Sequence, residues 1–128
     1  MITAIVLYDL PAEIGLEECR KHFASIAPSF LEIPGFLRKQ FICSADGKVA
    51  GGSYMWETQE AAEKFYNGPW MDGIRERYGC EPQISYFETV ALADKASGKA
   101  GPIGRRPAKQ PSPRRASPSR SSGKRVPA

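Results

Sequence analysis

Histidine is nearly missing from this chain: its 128 residues contain one, His22. Metal centres built from several imidazoles are thereby excluded, and no HExxH, GxSxG, GxGxxG or GxxxxGK[ST] motif occurs. A zinc or two-metal hydrolase does not fit, and no metal is expected. Cysteine is scarce as well. Cys19, Cys43 and Cys80 are odd in number and form no CxxC pair, so they read as reduced thiols and not as a disulfide frame. Cys19 and Cys43 fall at inward positions and read as small core hydrophobes. No apolar run approaches the roughly 20 residues that span a bilayer, so no membrane contact is expected. The N-terminus opens on a strand without a basic leader, and the expected location is cytoplasmic.

Acidic residues vanish after Asp94. Residues 1–96 hold nine Lys and Arg against fourteen Asp and Glu, a net −5, whereas residues 97–128 hold nine basic residues and no acid, a net +9, giving +4 for the whole. The pI near 9.1 is therefore a property of the C-terminal stretch. The mildly acidic remainder argues against a nucleic-acid surface on the folded part. Residues 1–94 read as one small domain and residues 95–128 as a basic tail rich in Pro, Ser and Arg. That tail has too few large apolar side chains to offset chain entropy, so it is expected to be disordered. It also lacks interleaved aromatics for base stacking. Its expected partners are limited to weak, nonspecific contact with nucleic acid or an acidic surface by counterion release.

What is present centres on Pro34 to Trp56. Two runs flank Asp46-Gly47, a strong hairpin signal. With those two as the loop, Cys43 pairs with Ala50, Phe41 with Gly52, Lys39 with Tyr54 and Leu37 with Trp56. One face then carries Leu37, Lys39, Phe41, Cys43, Ala50, Gly52, Tyr54 and Trp56. The other carries Phe36, Arg38, Gln40, Ile42, Val49, Gly51, Ser53 and Met55. Neither face is fully polar, so both are expected to be covered, one by helices and the other by a second copy of the chain.

Met1 to Asp9 is apolar on both faces, as in a central strand. Leu16, Cys19, Phe23, Ile26, Ala27 and Phe30 form one helical stripe, which Pro28 ends or kinks. Thr58 caps a second helix, Gly68-Pro69 breaks it, and Gly79 closes its continuation. Pro82 to Val90 alternates as a last strand. The order β-α-β-β-α-β predicts an α+β, ferredoxin-like fold.

The segments PGFLRKQF, GKVAGGSYMWET and AAEKFY resemble the YdhR-like monooxygenase family, a branch of the dimeric α/β-barrel superfamily that includes antibiotic-biosynthesis monooxygenases. The likeness runs from about Ile2 to Val90, and Arg38 stands where a relative carries an aromatic residue. It implies a homodimer whose sheets pack face to face, and a pocket in each subunit between sheet and helices. It further implies oxygenation of a small aromatic or polyketide-like substrate without metal, flavin or other cofactor, the substrate anion supplying the electrons. A non-catalytic ligand-binding or stress-response protein, or an oxygen-independent isomerase or cyclase, are the alternatives on the same fold.

His22 and Tyr54 are the candidate catalytic residues, each able to take or share a phenolic proton. Lys39, Trp56, Phe65, Tyr66, Trp70, Tyr78 and Tyr86 are the candidate substrate-binding residues, offering polar handles and aromatic walls. The broken helix beside Tyr66, Trp70 and Tyr78 reads as a pocket lid.

Overall fold

A computed structural model of the protein describes residues 1–104. Most of the expected tail, residues 105–128, lies outside the described residues. The described residues divide into a unit of Ile2–Phe87 and a second unit of Met1 with residues 88–104.

The larger unit runs β1 (Ile2–Asp9), α1 (Gly15–Ile26), a 3-10 turn (Ala27–Glu32), β2 (Phe36–Cys43), β3 (Val49–Trp56), α2 (Gln59–Tyr66), α3 (Pro69–Tyr78) and β4 (Gln83–Glu88). The sheet order is β2-β3-β1-β4, with β3 antiparallel to both of its neighbours. This is the ferredoxin-like βαββαβ fold, its second helix broken in two at Gly68-Pro69. The long apolar first strand is central, as its composition predicts, and β2 lies at an edge.

Local chemistry accounts for the helix ends. Cys19 and Phe23 are the buried residues of α1, and the 3-10 turn that begins beside Pro28 carries Phe30 of the same stripe into the core. The Thr58 hydroxyl accepts the Ala61 N–H at 3.1 Å and starts α2. Gly79 closes α3, its N–H donating to the Arg75 carbonyl.

The hairpin keeps the predicted register from Arg38 to Cys43, although its loop is longer than two residues. The Ser44 N–H donates to the Val49 carbonyl at 2.8 Å, and the Gly47 N–H donates to the Ser44 carbonyl at 3.0 Å. Ala45 and Asp46 are thus the turn centre. The loop grew by one residue on each side, which leaves the pairing unchanged. At the far end a bulge between Phe36 and Arg38 sets Phe36, not Leu37, opposite Trp56.

One sheet face is the core. Ala4, Val6 and Tyr8 of β1 and Ala50, Tyr54 and Trp56 of β3 are buried there with Cys19, Phe23, Phe30, Ala62, Tyr66, Ile74 and Tyr78 from the helical side. On the opposite face Ile5, Leu7, Ser53 and Met55 are half-buried, and Ile42 and Phe87 are exposed.

The second unit holds a hairpin of its own. Ala91–Asp94 (β5) pairs antiparallel with Lys99–Pro102 (β6), so a hairpin stands where the tail was expected to begin. Its cause is local. The Asp94 carbonyl accepts from Gly98 N–H at 2.8 Å, its carboxylate accepts from Ala96 N–H at 3.2 Å, and Gly98 takes φ +76°, open to glycine at little strain. The last strand of the main sheet correspondingly stops at Glu88 rather than Val90.

Candidate functional site

Lys39 is the side chain with the most unusual surroundings. It projects from edge strand β2 onto the helix-covered face. Its ammonium lies 3.8 Å from the ring centroid of Phe41, 4.3 Å from Phe30, 4.4 Å from Tyr54 and 5.9 Å from Phe23. Among the described residues no carboxylate pairs with it. Gly52 on β3, paired with Phe41 and so diagonal to Lys39, leaves the space its stem occupies: a Cβ there would stand 2.5 Å from Lys39 Cε.

Magnitudes decide its protonation. Each ring face returns on the order of 0.5–2 kcal/mol to a cation, while taking an ammonium out of water costs several kcal/mol. Desolvation wins, and burial brings the Lys39 amine down to about 7. Near neutral pH the site therefore holds an amine able both to accept a proton and to carry charge.

Beside it lies an open groove of about 550 Å³ between α1 and β2. Leu16, Arg20, Phe23, Ala24 and Ala27 form its helical wall, and Phe41, Cys43, Ser44 and Ala45 its strand wall. Phe23 and Phe41 belong to both the groove and the Lys39 cage, so the amine sits behind the groove's aromatic floor.

Most of the sequence-predicted aromatics meet elsewhere. Tyr54 and Trp56 stack at 5.9 Å and 12°, Tyr66 meets Tyr54 edge-on at 5.2 Å, and Trp70 lies 4.9 Å from Tyr66. Phe65 touches Trp56, Tyr66 and Trp70, while Tyr86 reaches Tyr66 at 6.2 Å. The Trp56 indole N–H donates to the Tyr66 hydroxyl at 3.1 Å. These rings form a packed layer that shares Tyr54 with the Lys39 cage. None of them lines the groove.

Tyr78 is apart from that layer, packed on Tyr8 at 4.4 Å. His22 stands half-buried on α1; burial and the nearby Arg77 and Lys39 lower its pKa, with Glu18 opposing. Burial raises the Tyr54 phenol far above its ordinary value, so it holds its proton.

The cage residues Phe23, Phe30 and Phe41 and the groove residue Arg20 were not singled out by sequence reasoning. A signal existed: Leu16, Arg20, Ala24 and Ala27 lie on one helical stripe whose small members leave a gap beside β2. Among the described residues no group of His, Cys, Asp and Glu is placed to hold a metal ion, and no helix is long and apolar enough to cross a membrane.

The family described as "Putative mono-oxygenase ydhR" matches residues 5–86. No curated protein matches significantly in sequence. Among solved structures, the heme-degrader MhuD from Mycobacterium tuberculosis, with two hemes bound, is 25% identical, with a TM-score of 0.57 over 73% of this chain and 100% of that one. A monooxygenase from ActVA-Orf6 of Streptomyces coelicolor, complexed with nanaomycin D, is 21% identical, with a TM-score of 0.51 over 67% of this chain and 84% of that one. An antibiotic-biosynthesis monooxygenase from Deinococcus radiodurans, itself an inferred function, is 14% identical, with a TM-score of 0.58 over 73% and 97%. The last two likenesses are of fold.

Proposed function

The chain belongs to the ydhR mono-oxygenase family, and from that premise we propose that it oxygenates a small, electron-rich aromatic molecule held in the α1–β2 groove, using no cofactor. The observation that carries this reading is the Lys39 amine behind the groove floor, caged by four rings and, among the described residues, by no carboxylate. A solved relative of the same fold holds nanaomycin D, a ligand of the expected class.

In this reading the Phe23 and Phe41 rings give way as a phenol or hydroxyanthrone-type substrate enters, and Lys39 then takes its acidic proton and remains beside the resulting anion as its counter-charge. The anion is the reductant. Dioxygen takes up four electrons as a ring CH2 becomes C=O, one oxygen entering the product and the other leaving as water. The protein contributes an apolar enclosure, the proton acceptor and, from Arg20, a cationic donor at the groove wall. Haem is the poorer reading: the groove residues include no imidazole, and His22 is not among them. A second copy of the chain against the Ile5, Leu7 and Met55 face completes the proposed homodimer.

Oxygen uptake with a hydroxyanthrone-type substrate tests this on wild type, Lys39→Met, His22→Ala and Tyr54→Phe. A loss of roughly 10²-fold in kcat/KM for Lys39→Met, larger than for the other two, is expected. Product formed equally without oxygen would make the protein an isomerase or cyclase. Thermal stabilisation by the aromatic compound without turnover would make it a binding protein.

A further inference from the structure

Two thiols meet at the groove in a way that neither oxygenation nor packing requires. Cys19, on the buried side of α1, is fully buried, and Cys43, the last residue of β2, is half-buried and lines the groove. Both are free, and the Cys43 S–H points to the Cys19 sulfur at 3.5 Å. Cys80 is not part of the pair; its sulfur faces the Asp9 carbonyl at 3.9 Å. A disulfide needs its sulfurs about 2.04 Å apart, so a side-chain adjustment of roughly 1.5 Å separates the present contact from a bond.

We propose that Cys19 and Cys43 are an oxidisable dithiol, converted by a hydroperoxide entering the groove into a disulfide that ties α1 to β2. The asymmetry of the pair sets the order of events. Cys43 is reached from the groove, so its sulfur attacks the peroxide oxygen after losing its proton. The O–O bond breaks, Cys43 becomes a sulfenic acid, and the alcohol or water leaves with that proton. Cys19 then attacks the Cys43 sulfur. The S–O bond breaks and hydroxide departs with the Cys19 proton as water. In sum two thiols lose two electrons, and one hydroperoxide yields one alcohol (or water) and a further water.

Burial and the contact with Cys43 push the Cys19 thiol up to about 12, in keeping with its role as the resolving and not the attacking partner. Closure would draw the strand wall toward the helix at Cys43, so the bridged form is expected to bind groove ligands more weakly.

The test uses the full-length reduced protein, treated with hydrogen peroxide or cumene hydroperoxide, quenched by alkylation and mapped by mass spectrometry. The expected result is an intact mass lower by about 2 Da before alkylation and, after it, a linked peptide joining Cys19 to Cys43, an alkylated Cys80 and full reversal by a thiol reductant. Cys80→Ser should retain the bridge and Cys43→Ser should abolish it. Because Cys19 is fully buried and its variants risk misfolding, the decisive reading is the peptide map of the unaltered protein. Three results overturn the proposal: both thiols alkylating fully after treatment, a bridge that includes Cys80, or Cys43 advancing to sulfinic acid with Cys19 still free.

Discussion

Lys39 Cε occupies the position that a side chain on Gly52 would need, with only 2.5 Å between it and a Cβ built there. The absence of a side chain on β3 is therefore what lets the neighbouring strand turn its lysine inward under α1.

Gly52→Ala is expected to evict the lysine. Its closest clash is with a flexible stem, while the Tyr54 ring at 3.1 Å and the Gln40 backbone oxygen at 3.3 Å need give by only a few tenths of an ångström. The fold should survive at a cost of about 1–2 kcal/mol. Expelled into water, the amine regains its ordinary basicity, so the Lys39-dependent limb of the oxygen-uptake pH profile should move upward or vanish. Uptake kinetics from pH 6 to 9, beside a denaturation curve, check both halves.

Gly51→Ala should behave quite differently. Gly51 is at φ +159°, and a Cβ there would lie 1.8 Å from the Val6 carbonyl oxygen, a backbone atom in the sheet centre. No side chain can yield to relieve it. A loss of more than about 3 kcal/mol is expected, read as a fall in thermal midpoint or in folded yield.

Lys39 should also write a slope into stability. The unfolded chain keeps its proton up to about 10.5, the folded protein only to about 7. Between those values the unfolded state binds more protons, so stability should climb as pH rises through that window. Lys39→Met should flatten the climb and exceed wild type most at pH 6, the advantage shrinking toward pH 10. Urea midpoints across that range give the answer; parallel curves for the two proteins would contradict it.

Tyr66→Phe should uncover the packing role of the aromatic layer. It removes the acceptor of the buried Trp56 indole N–H and leaves a donor unsatisfied. A loss of roughly 1–3 kcal/mol is expected, measured by chemical denaturation without ligand. A neutral result would mean that water or a ligand replaces the hydroxyl, as in a pocket wall.

The architecture was legible because its signals are local. Val49 to Trp56 and Phe36 to Cys43 alternate with a strand's period, and Thr58, Gly68, Pro69 and Gly79 punctuate the helices as their backbone chemistry requires. The hairpin register survived a longer loop since the extension was symmetric. The site was less legible. Tyr54, Trp56, Tyr66 and Trp70 carry polar tips that suit a pocket, but the same rings fill space with one another, and sequence holds no measure of the gap left over. That gap lies beside Ala24 and Ala27, where small residues meet an edge strand, a property of how α1 is set on the sheet. Lys39 was placed on the right face by register alone. Its cage required knowing that Phe23 and Phe30, more than a turn apart on the helical side, converge on it. The β5–β6 hairpin was hidden by composition, since Gly98 and Asp94 act through one turn inside a stretch that otherwise reads as a polyelectrolyte.

Both indoles of the chain, Trp56 and Trp70, lie in the ring layer, and neither lines the groove. Their emission should thus be blue-shifted and silent to direct touch by anything entering beside α1. A quinone arriving there would dim the light by energy transfer without changing its colour, whereas loosening of the layer would redden it. One spectrum can therefore separate occupancy from unfolding, with no label attached.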